Sequence, residues 1–294
     1  MGSLREIKTQ IGSVKATQQI TSAMQMVASI KMQQAERTIN RFRPYREKIS
    51  QLLTDFIETE RDFVCKFEEK RTVKKVAILA FSGDMSLCGA FNSNVTKKLL
   101  TTLEEYKHLG EENITLYTIG KKTDQALRKM DITPDHYYEE LAKNPDYEQM
   151  SDITDQLMQQ FLDKEIDEVV LVYHQFTSKG VQTLVQESLL PLSFNRPSDL
   201  ELELSPPQEE PTEYIVEPGR AELLNELVPK IIKIRMYNVL LDSYGSEQAA
   251  RNMAMQTATD NADDLLDELS LVYNKMRQQS ITNELLDIIG ATFK

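Results

Sequence analysis

The chain has 294 residues, enough for one or two domains with a real core, and its 34 basic against 46 acidic residues give a net charge of −12, which argues against a general binder of nucleic acid. Two cysteines, Cys65 and Cys88, argue against a disulfide scaffold and fit a reducing compartment, and three scattered histidines argue against a His-rich metal site. The longest apolar runs, such as Val76–Phe81 and Val169–Tyr173, fall far short of the roughly 18–20 residues that cross a bilayer, and the N-terminus reads as having neither a signal core nor a transit peptide.

Over residues 1–60 the apolar positions Leu4, Ile7, Ile11 and Val14, then Ile20, Met24 and Val27, then Ile39, Phe42, Ile49, Leu52 and Phe56 recur in steps near three and four. This predicts one long helix with a narrow stripe. Ser3 and Glu6 have capping-box spacing, and Pro44 predicts a kink, since it lacks a donor and crowds the preceding turn. Residues 70–218 read as α/β. Strands are expected at Val73–Phe81, Asn113–Ile119, Ile132–Tyr138, Glu168–His174 and Val181–Leu190, and helices at Ala90–Leu109, Lys121–Met130 and Asp152–Glu165. The alternation predicts a Rossmann-like domain with a mostly parallel sheet. Residues 199–217 hold seven acids and no Lys or Arg, broken by Pro206, Pro207 and Pro211, and read as a solvated loop or short hairpin.

The third segment, 219–294, returns to helical character. Ala250, Met253, Thr257, Asn261, Leu265, Leu269, Val272, Met276, Gln279 and Leu286 form its stripe, and Gly290 is a plausible stop. Two stripes this narrow are unstable alone, so the two terminal helices are expected to bury each other as an antiparallel coiled coil. About 55 residues at roughly 1.5 Å each give a rod of about 80 Å.

The inventory for catalysis is thin. There is no GxGxxG and no complete P-loop; Gly120-Lys121-Lys122-Thr123 resembles the end of one, but its leading glycine is absent. Cys88 has no histidine near it in sequence and reads as a small apolar residue at a tight turn. The pairs Glu139-Glu140 and Asp263-Asp264 read as solvated faces, and Met24, Met26, Met32, Met253 and Met255 as contact filler. No cofactor or metal is expected. Charge is more informative: residues 1–50 carry nine bases and three acids, whereas 246–294 carry four bases and eight acids. Either the second helix compensates the first, or the first lies against an acidic partner. Small residues at Gly12, Ser13, Ala16, Thr17, Thr21, Ser22, Ala23, Ala28 and Ser29 predict a slim rod. From the residues alone the reading is a coiled-coil shaft on an α/β base.

Particular residues at both ends carry a family resemblance. At the N-terminus these are Ile7-Lys8, Ile11, Ser13-Val14-Lys15, Thr17-Gln18, Ile20-Thr21, Ala23-Met24, Met26-Val27-Ala28 and Lys31. At the C-terminus they are Ser246-Glu247-Gln248-Ala249-Ala250-Arg251, Ala254-Met255, Ala258-Thr259, Asn261-Ala262, Tyr273-Asn274-Lys275, Arg277-Gln278 and Ile281-Thr282 with Glu284-Leu285. With Leu87-Cys88-Gly89, Phe91-Asn92, and Tyr214 ahead of Glu217-Pro218, the chain resembles the gamma subunit of the F-type ATP synthase from end to end. Three departures stand out. Met85 occupies a position that is usually basic, the stretch between Asp287 and Gly290 is one residue short, and the cysteine-bearing insert of chloroplast relatives is missing.

The resemblance implies a non-catalytic rotor rather than an enzyme. Its shaft would fill the cavity of the alpha/beta hexamer. Its base, with an epsilon subunit, would sit on the membrane c-subunit ring at the cytoplasmic face of a bacterial plasma membrane. By position, Met24, Cys88, Arg251, Arg277, Gln278, Thr282 and Glu284 would meet the alpha/beta head and couple rotation to catalysis, with Arg251 or Arg277 pairing acidic residues of a moving beta loop. Tyr214 and Glu217 would form the foot on the c ring and epsilon. The competing readings are a coiled-coil adaptor without rotary coupling and a Rossmann-like enzyme with helical arms.

Overall fold

The computed structural model describes residues 4–59, 63–193, 216 and 219–292. The elements are α1 (Leu4–Thr59), β1 (Val76–Phe81), α2 (Phe91–Tyr106), β2 (Ile114–Ile119), α3 (Lys121–Arg128), β3 (His136–Tyr138), α4 (Glu139–Lys143), α5 (Tyr147–Leu162), β4 (Glu168–Ser178), β5 (Val181–Leu190) and α6 (Arg220–Thr292). The strands form one sheet in the order β3-β2-β1-β4-β5. β1 pairs in parallel with β2 and β4, β2 with β3, and only β5 runs antiparallel, against β4. The expected mostly parallel sheet is present.

Every residue of β1 is buried, because the strand is covered on both faces. Val76, Ile78 and Ala80 face Val95 and Leu99 of α2 and Leu127 of α3. Ala77, Leu79 and Phe81 face the other way, into a core shared with Leu157 and Phe161 of α5, Ile232, Met236 and Leu240 of α6, and Leu53 and Phe56 of α1. The lower part of the two long helices is therefore a layer of the α/β domain. Helix α5 starts at Tyr147, five residues before the expected Asp152, because Asp146 caps it by accepting from the Gln149 amide at 2.8 Å. The short helix α4 was not foreseen.

Helix α1 spans 56 residues and α6 spans 73, and they pair antiparallel. Pro44 does not end α1, and Gly290 lies inside the last turn of α6 rather than at a stop. The capping role expected of Ser3 lies outside the described residues. Cross-helix partners keep one register along the rod. Gln18 Nε2 donates to Asp263 Oδ1 at 3.0 Å, the Thr21 and Thr259 hydroxyls meet at 2.8 Å, and Gln25 bonds Gln256. Further down, Ala35 faces Gly245, and the Phe42 and Tyr237 rings lie 5.6 Å apart. In this register Leu4 comes level with Met276.

The seam corrects the expected stripes. On α1 it follows Ile7, Val14, Thr21, Ala28, Ala35, Phe42, Ile49 and Phe56, a strict seven-residue repeat in which every side chain is buried or half-buried. On α6 the matching rows are Asn252, Thr259, Leu266, Tyr273 and Met255, Ala262, Leu269, Met276. A repeat of seven fits 3.5 residues per turn and a left-handed supercoil. Ile20, Val27, Met253, Leu265 and Val272, expected inside, are 43–60% exposed. The middle of the seam is closed by Thr and Ala, which let the backbones approach, and the larger apolar side chains face outward.

Candidate partner interface along the shaft

The shaft has three chemically distinct levels. At its far end α6 overhangs α1: from Ile281 to Ile289 every side chain is exposed, including Leu285, Leu286 and Ile288. Arg277, Gln278, Thr282 and Glu284, four of the expected contact residues, stand on or next to this overhang and are exposed. Thr282 Oγ1 donates to the Gln278 carbonyl at 2.9 Å and Ser280 Oγ to Glu284 Oε1 at 3.4 Å, bonds within the helix that leave their outer faces accessible.

Below the overhang the surface is acidic, with Asp260, Asp263, Asp264, Asp267 and Glu268 all exposed on α6. By the register these stand level with residues 12–20 of α1. The exposed bases Lys31, Arg37, Arg41, Arg43, Arg46 and Lys48 lie lower, level with about 232–249. The acidic stretch of the second helix therefore does not compensate the basic stretch of the first; the two are offset along the axis. Between them Met26, Val27, Ile30 and Met253 are exposed, and Met24 is half-buried on the same stretch of α1.

At the level of Arg251 the shaft meets the sheet. Strand order reverses about β1, so the crevice in which doubly wound sheets hold ligands lies beyond the C-terminal ends of β1 and β4. Helix α6 fills it. Ser243 Oγ donates to the Phe81 carbonyl at 3.3 Å and Ser246 Oγ to the His174 carbonyl at 3.2 Å. The Glu247 carboxyl packs so close to Gly83 that a Cβ there would stand 2.7 Å from it. What remains among Phe81, Ser82, Ile119, Ser243 and Glu247 is about 10 Å³, at the limit for a single water. The segment that resembled a phosphate loop is also engaged by the chain itself. Thr123 N donates to Ser82 Oγ at 3.4 Å and Lys122 N to the Gly83 carbonyl at 3.2 Å. Gly120, at φ +100°, sits where a Cβ would collide with the Ser82 carbonyl.

Arg251 and Cys88, placed apart in sequence, come together here. Arg251 is 6% exposed. Its Nη2 lies 2.6 Å from Glu247 Oε1 and also donates to the carbonyls of Met85 at 3.3 Å and Ser86 at 3.4 Å. The guanidinium faces the chain's own backbone, whereas Arg277, the other residue expected to pair with a moving acidic loop, is exposed. Burial pushes the Glu247 carboxyl up, with Arg251 pulling it back. Cys88 is buried, and its thiol is pushed up by burial and then by the Glu247 charge, the opposite of an activated nucleophile. Asn92 Nδ2 lies 3.1 Å from its sulfur.

A second polar cluster lies lower, in a cleft of about 360 Å³ between the coil and the β4–β5 hairpin, where Arg46, Tyr173, Glu187, Arg235, Asn238 and Asp242 converge. Glu187 accepts from Arg235 at 3.2 Å and from Tyr173 at 3.3 Å. Asp242 is pushed up to about 7 by burial, against the pull of Arg46. Sequence reading missed this cluster because its members come from four elements. The expected foot residues Tyr214 and Glu217 lie outside the described residues.

The sequence family described as ATP synthase matches residues 3–292. The ATP synthase gamma chain of Bacteroides fragilis is 45% identical over 292 residues, 99% of each chain. That of Bacteroides thetaiotaomicron is 43% identical over 298 residues, all of each chain. Among solved structures, a chain of the Euglena gracilis mitochondrial ATP synthase OSCP/F1/c-ring assembly superposes with a TM-score of 0.63 at 17% identity, covering 99% of this chain and 93% of that one. A chain of the Tetrahymena thermophila mitochondrial ATP synthase central stalk and c-ring gives 0.59 at 21%, covering 81% and 99%. The structures share the fold, and the sequence relatives fix the lineage: the chain belongs to the ATP synthase gamma chain family.

Proposed function

We propose that this chain is the central rotor of an F-type ATP synthase, carrying torque between a membrane c-subunit ring and the alpha/beta head. The observation that carries this is the shaft itself. The middle of its seam is closed by small and polar residues, while Ile20 and Val27 of α1 and Leu265 and Val272 of α6 are exposed on a rod about 80 Å long. Exposed apolar rows of this extent mark a surface that another protein covers. The two paired helices differ in sequence, the exposed bases lying on α1 and the exposed acids on α6, so no rotation about the long axis maps the rod onto itself. Such a rod inside a ring of equivalent catalytic sites meets each one differently. It shifts a site only by its differential contact energy, and a tenfold change in nucleotide affinity needs about 1.4 kcal/mol.

In this reading Met24 and the overhang residues Arg277, Gln278, Thr282 and Glu284 touch the alpha and beta subunits. Tyr214 and Glu217 belong to the foot on the c ring and epsilon, and the complex lies at the cytoplasmic face of a bacterial plasma membrane. The chain is read as a non-catalytic subunit, as its gamma-chain relatives imply. Affinity purification of the chain from detergent-extracted membranes tests the role. Alpha, beta, epsilon and c subunits should co-elute in an ATPase whose hydrolysis drives ion pumping, and calorimetry on the isolated chain should show no ATP binding. Recovery of the chain without those subunits, or tight ATP binding by it alone, overturns the reading.

A further inference from the structure

The cleft between the coil and the β4–β5 hairpin is built from three directions. Arg235, Asn238 and Asp242 fall three and four apart on α6, so one face of that helix presents them together; Arg46 and Ile49, three apart, come from α1, and Tyr173 and Glu187 from β4 and β5. The acceptor of the cluster is already engaged at both oxygens. Glu187 Oε2 accepts from Arg235 Nη2 at 3.2 Å and Oε1 from the Tyr173 hydroxyl at 3.3 Å. The donors are not. Arg46 makes no hydrogen bond or ion pair with a described residue and acts on Asp242 only through its charge. Asn238 is 8% exposed, yet its carboxamide has no hydrogen-bond partner among the described residues, and its Nδ2 is buried without an acceptor. A buried amide in that state is costly until something completes it. The remaining wall is aliphatic: buried Ile49, Ile234 and Val239 and half-buried Ile231. A volume of about 360 Å³ is of the size that holds a small organic molecule.

We propose that this cleft binds a small organic carboxylate, its anionic end taken by Arg46 with the Asn238 amide and the Asp242 carboxyl as further donors, and its apolar body laid against Ile49, Ile231 and Ile234. The charges select this class. Arg235 and Glu187 neutralise one another, so Arg46 is the one uncommitted cation among the described residues of the cleft, and it matches a single negative charge. Asp242 is pushed up to about 7 by burial, so below neutrality it is a hydroxyl donor and not a competing anion. Phosphate fits worse: its second charge meets no second free cation, it faces Glu187, and it leaves the aliphatic wall uncovered. Arg46 stands on α1 and its companions on α6 and the hairpin, so a carboxylate held by all of them ties the coil to the base and binds the folded chain alone. The proposal is independent of the rotor reading.

Hexanoate is the probe, titrated by calorimetry into the full chain at pH 6 beside its effect on the unfolding midpoint. It should bind saturably, one per chain, and raise the midpoint with concentration. Hexan-1-ol keeps the body without the charge, acetate the charge without the body, and inorganic phosphate neither the body nor the single charge; each should bind at least about tenfold more weakly. Arg46→Gln, at an exposed position, should weaken hexanoate about tenfold and leave the midpoint without hexanoate nearly unchanged. Between pH 6 and pH 8 hexanoate stays ionised while Asp242 loses its proton, under the charges of Arg46, Arg235 and Glu187 and beside Tyr173, so affinity should fall roughly tenfold as the protonated fraction drops. Asp242→Asn should abolish that fall. Absence of saturable binding, equal binding of hexan-1-ol, tighter binding of phosphate, or parental affinity in Arg46→Gln overturns the site, and a pH dependence that persists in Asp242→Asn overturns the role of that carboxyl. Hexanoate binding that the isolated chain shows and the assembled complex lacks also overturns it, by showing the cleft to be a face that another subunit covers.

Discussion

The hydroxyls of Thr21 and Thr259 meet across the coiled-coil seam at 2.8 Å, each also within reach of a carbonyl of its own helix, Gln18 at 3.0 Å and Met255 at 2.9 Å. Two protons are available for three close contacts, so one hydroxyl donates across the seam and the other donates to its own helix. Either Thr→Val substitution alone leaves one buried hydroxyl short of its cross-seam partner. Each single change should cost about 1–2 kcal/mol, whereas the double Thr21→Val, Thr259→Val pair should come within about 0.5 kcal/mol of the parent. Urea unfolding of the four chains measures this directly; additive losses in the double variant would show that the pair does not interact.

The contact between shaft and sheet makes a sharper prediction at Gly83. A Cβ there would lie 2.7 Å from the Glu247 carboxyl carbon and from Oε1, and the carboxylate cannot swing away without leaving Arg251. Gly83→Ala should therefore destabilise by about 1–3 kcal/mol, as overpacking does. Glu247→Asp, which draws the carboxylate back, should cost stability in the parent but much less in the Gly83→Ala background. A double-mutant cycle on thermal unfolding reads the difference, and simple additivity would mean the two residues do not share this space.

How far the sequence carried the fold follows from the same residues. The antiparallel pairing of the ends, the five strands and most helices were legible because periodicity and turn residues are local signals. The phase of the coil was not. Ile20, Val27, Leu265 and Val272 are apolar residues that fall at steps near three and four, and that spacing placed them inside. The seam instead runs through Thr21 and Ala28 on α1 and Thr259 and Ala262 on α6, and the seven-residue rows to which they belong are visible only when small and polar residues are counted too. Arg251 and Cys88 were singled out by resemblance, yet their mutual contact through the Met85–Ser86 backbone is a tertiary fact. So is Glu247, whose exposure of 4% no helical pattern reveals. Asp146 was the opposite case: Asp146-x-x-Gln149 is a readable cap, and it marks the start of α5 that the apolar pattern placed too late.

Two buried groups shape the dependence of stability on pH in opposite senses. Asp242 is pushed up from 3.8 to about 7 by burial. Between those values the folded chain holds a proton that the unfolded chain has lost, so this group's contribution falls as pH rises toward 7. His174 is pulled down from 6.5 to about 4 by burial. There the unfolded chain binds the extra proton, so stability rises with pH across about 4 to 6.5. Asp242→Asn, which stays neutral, should remove the loss linked to Asp242. Relative to the parent it should gain midpoint from pH 5 up to about pH 7 and level off above that, with Arg46 and Glu187 as the charges that modulate the size of the effect. Differential scanning fluorimetry across that range checks it, and a constant offset between variant and parent would place the Asp242 titration elsewhere.

The overhang separates folding from function most cleanly. Beyond Ser280 the helix α6 has outrun Leu4, and Ile281, Leu285, Leu286, Ile288 and Ile289 are 49–64% exposed. A short helical end whose side chains from 281 to 289 are all exposed is marginal in water by itself, so it is held by continuity with the coil and, in the complex, by whatever surrounds it. Removing residues 281–294 should leave the unfolding midpoint of the chain nearly unchanged, since Ile281, Leu285, Leu286 and Ile289 are each about half exposed or more. The same truncation should lower recovery of the assembled head, because the exposed apolar row is lost. Hydrogen exchange gives the complementary readout in the intact protein: amides of 281–289 should exchange rapidly in the isolated chain and become protected on assembly. Equal protection in both states would mean that the end of the shaft is not a partner-covered surface.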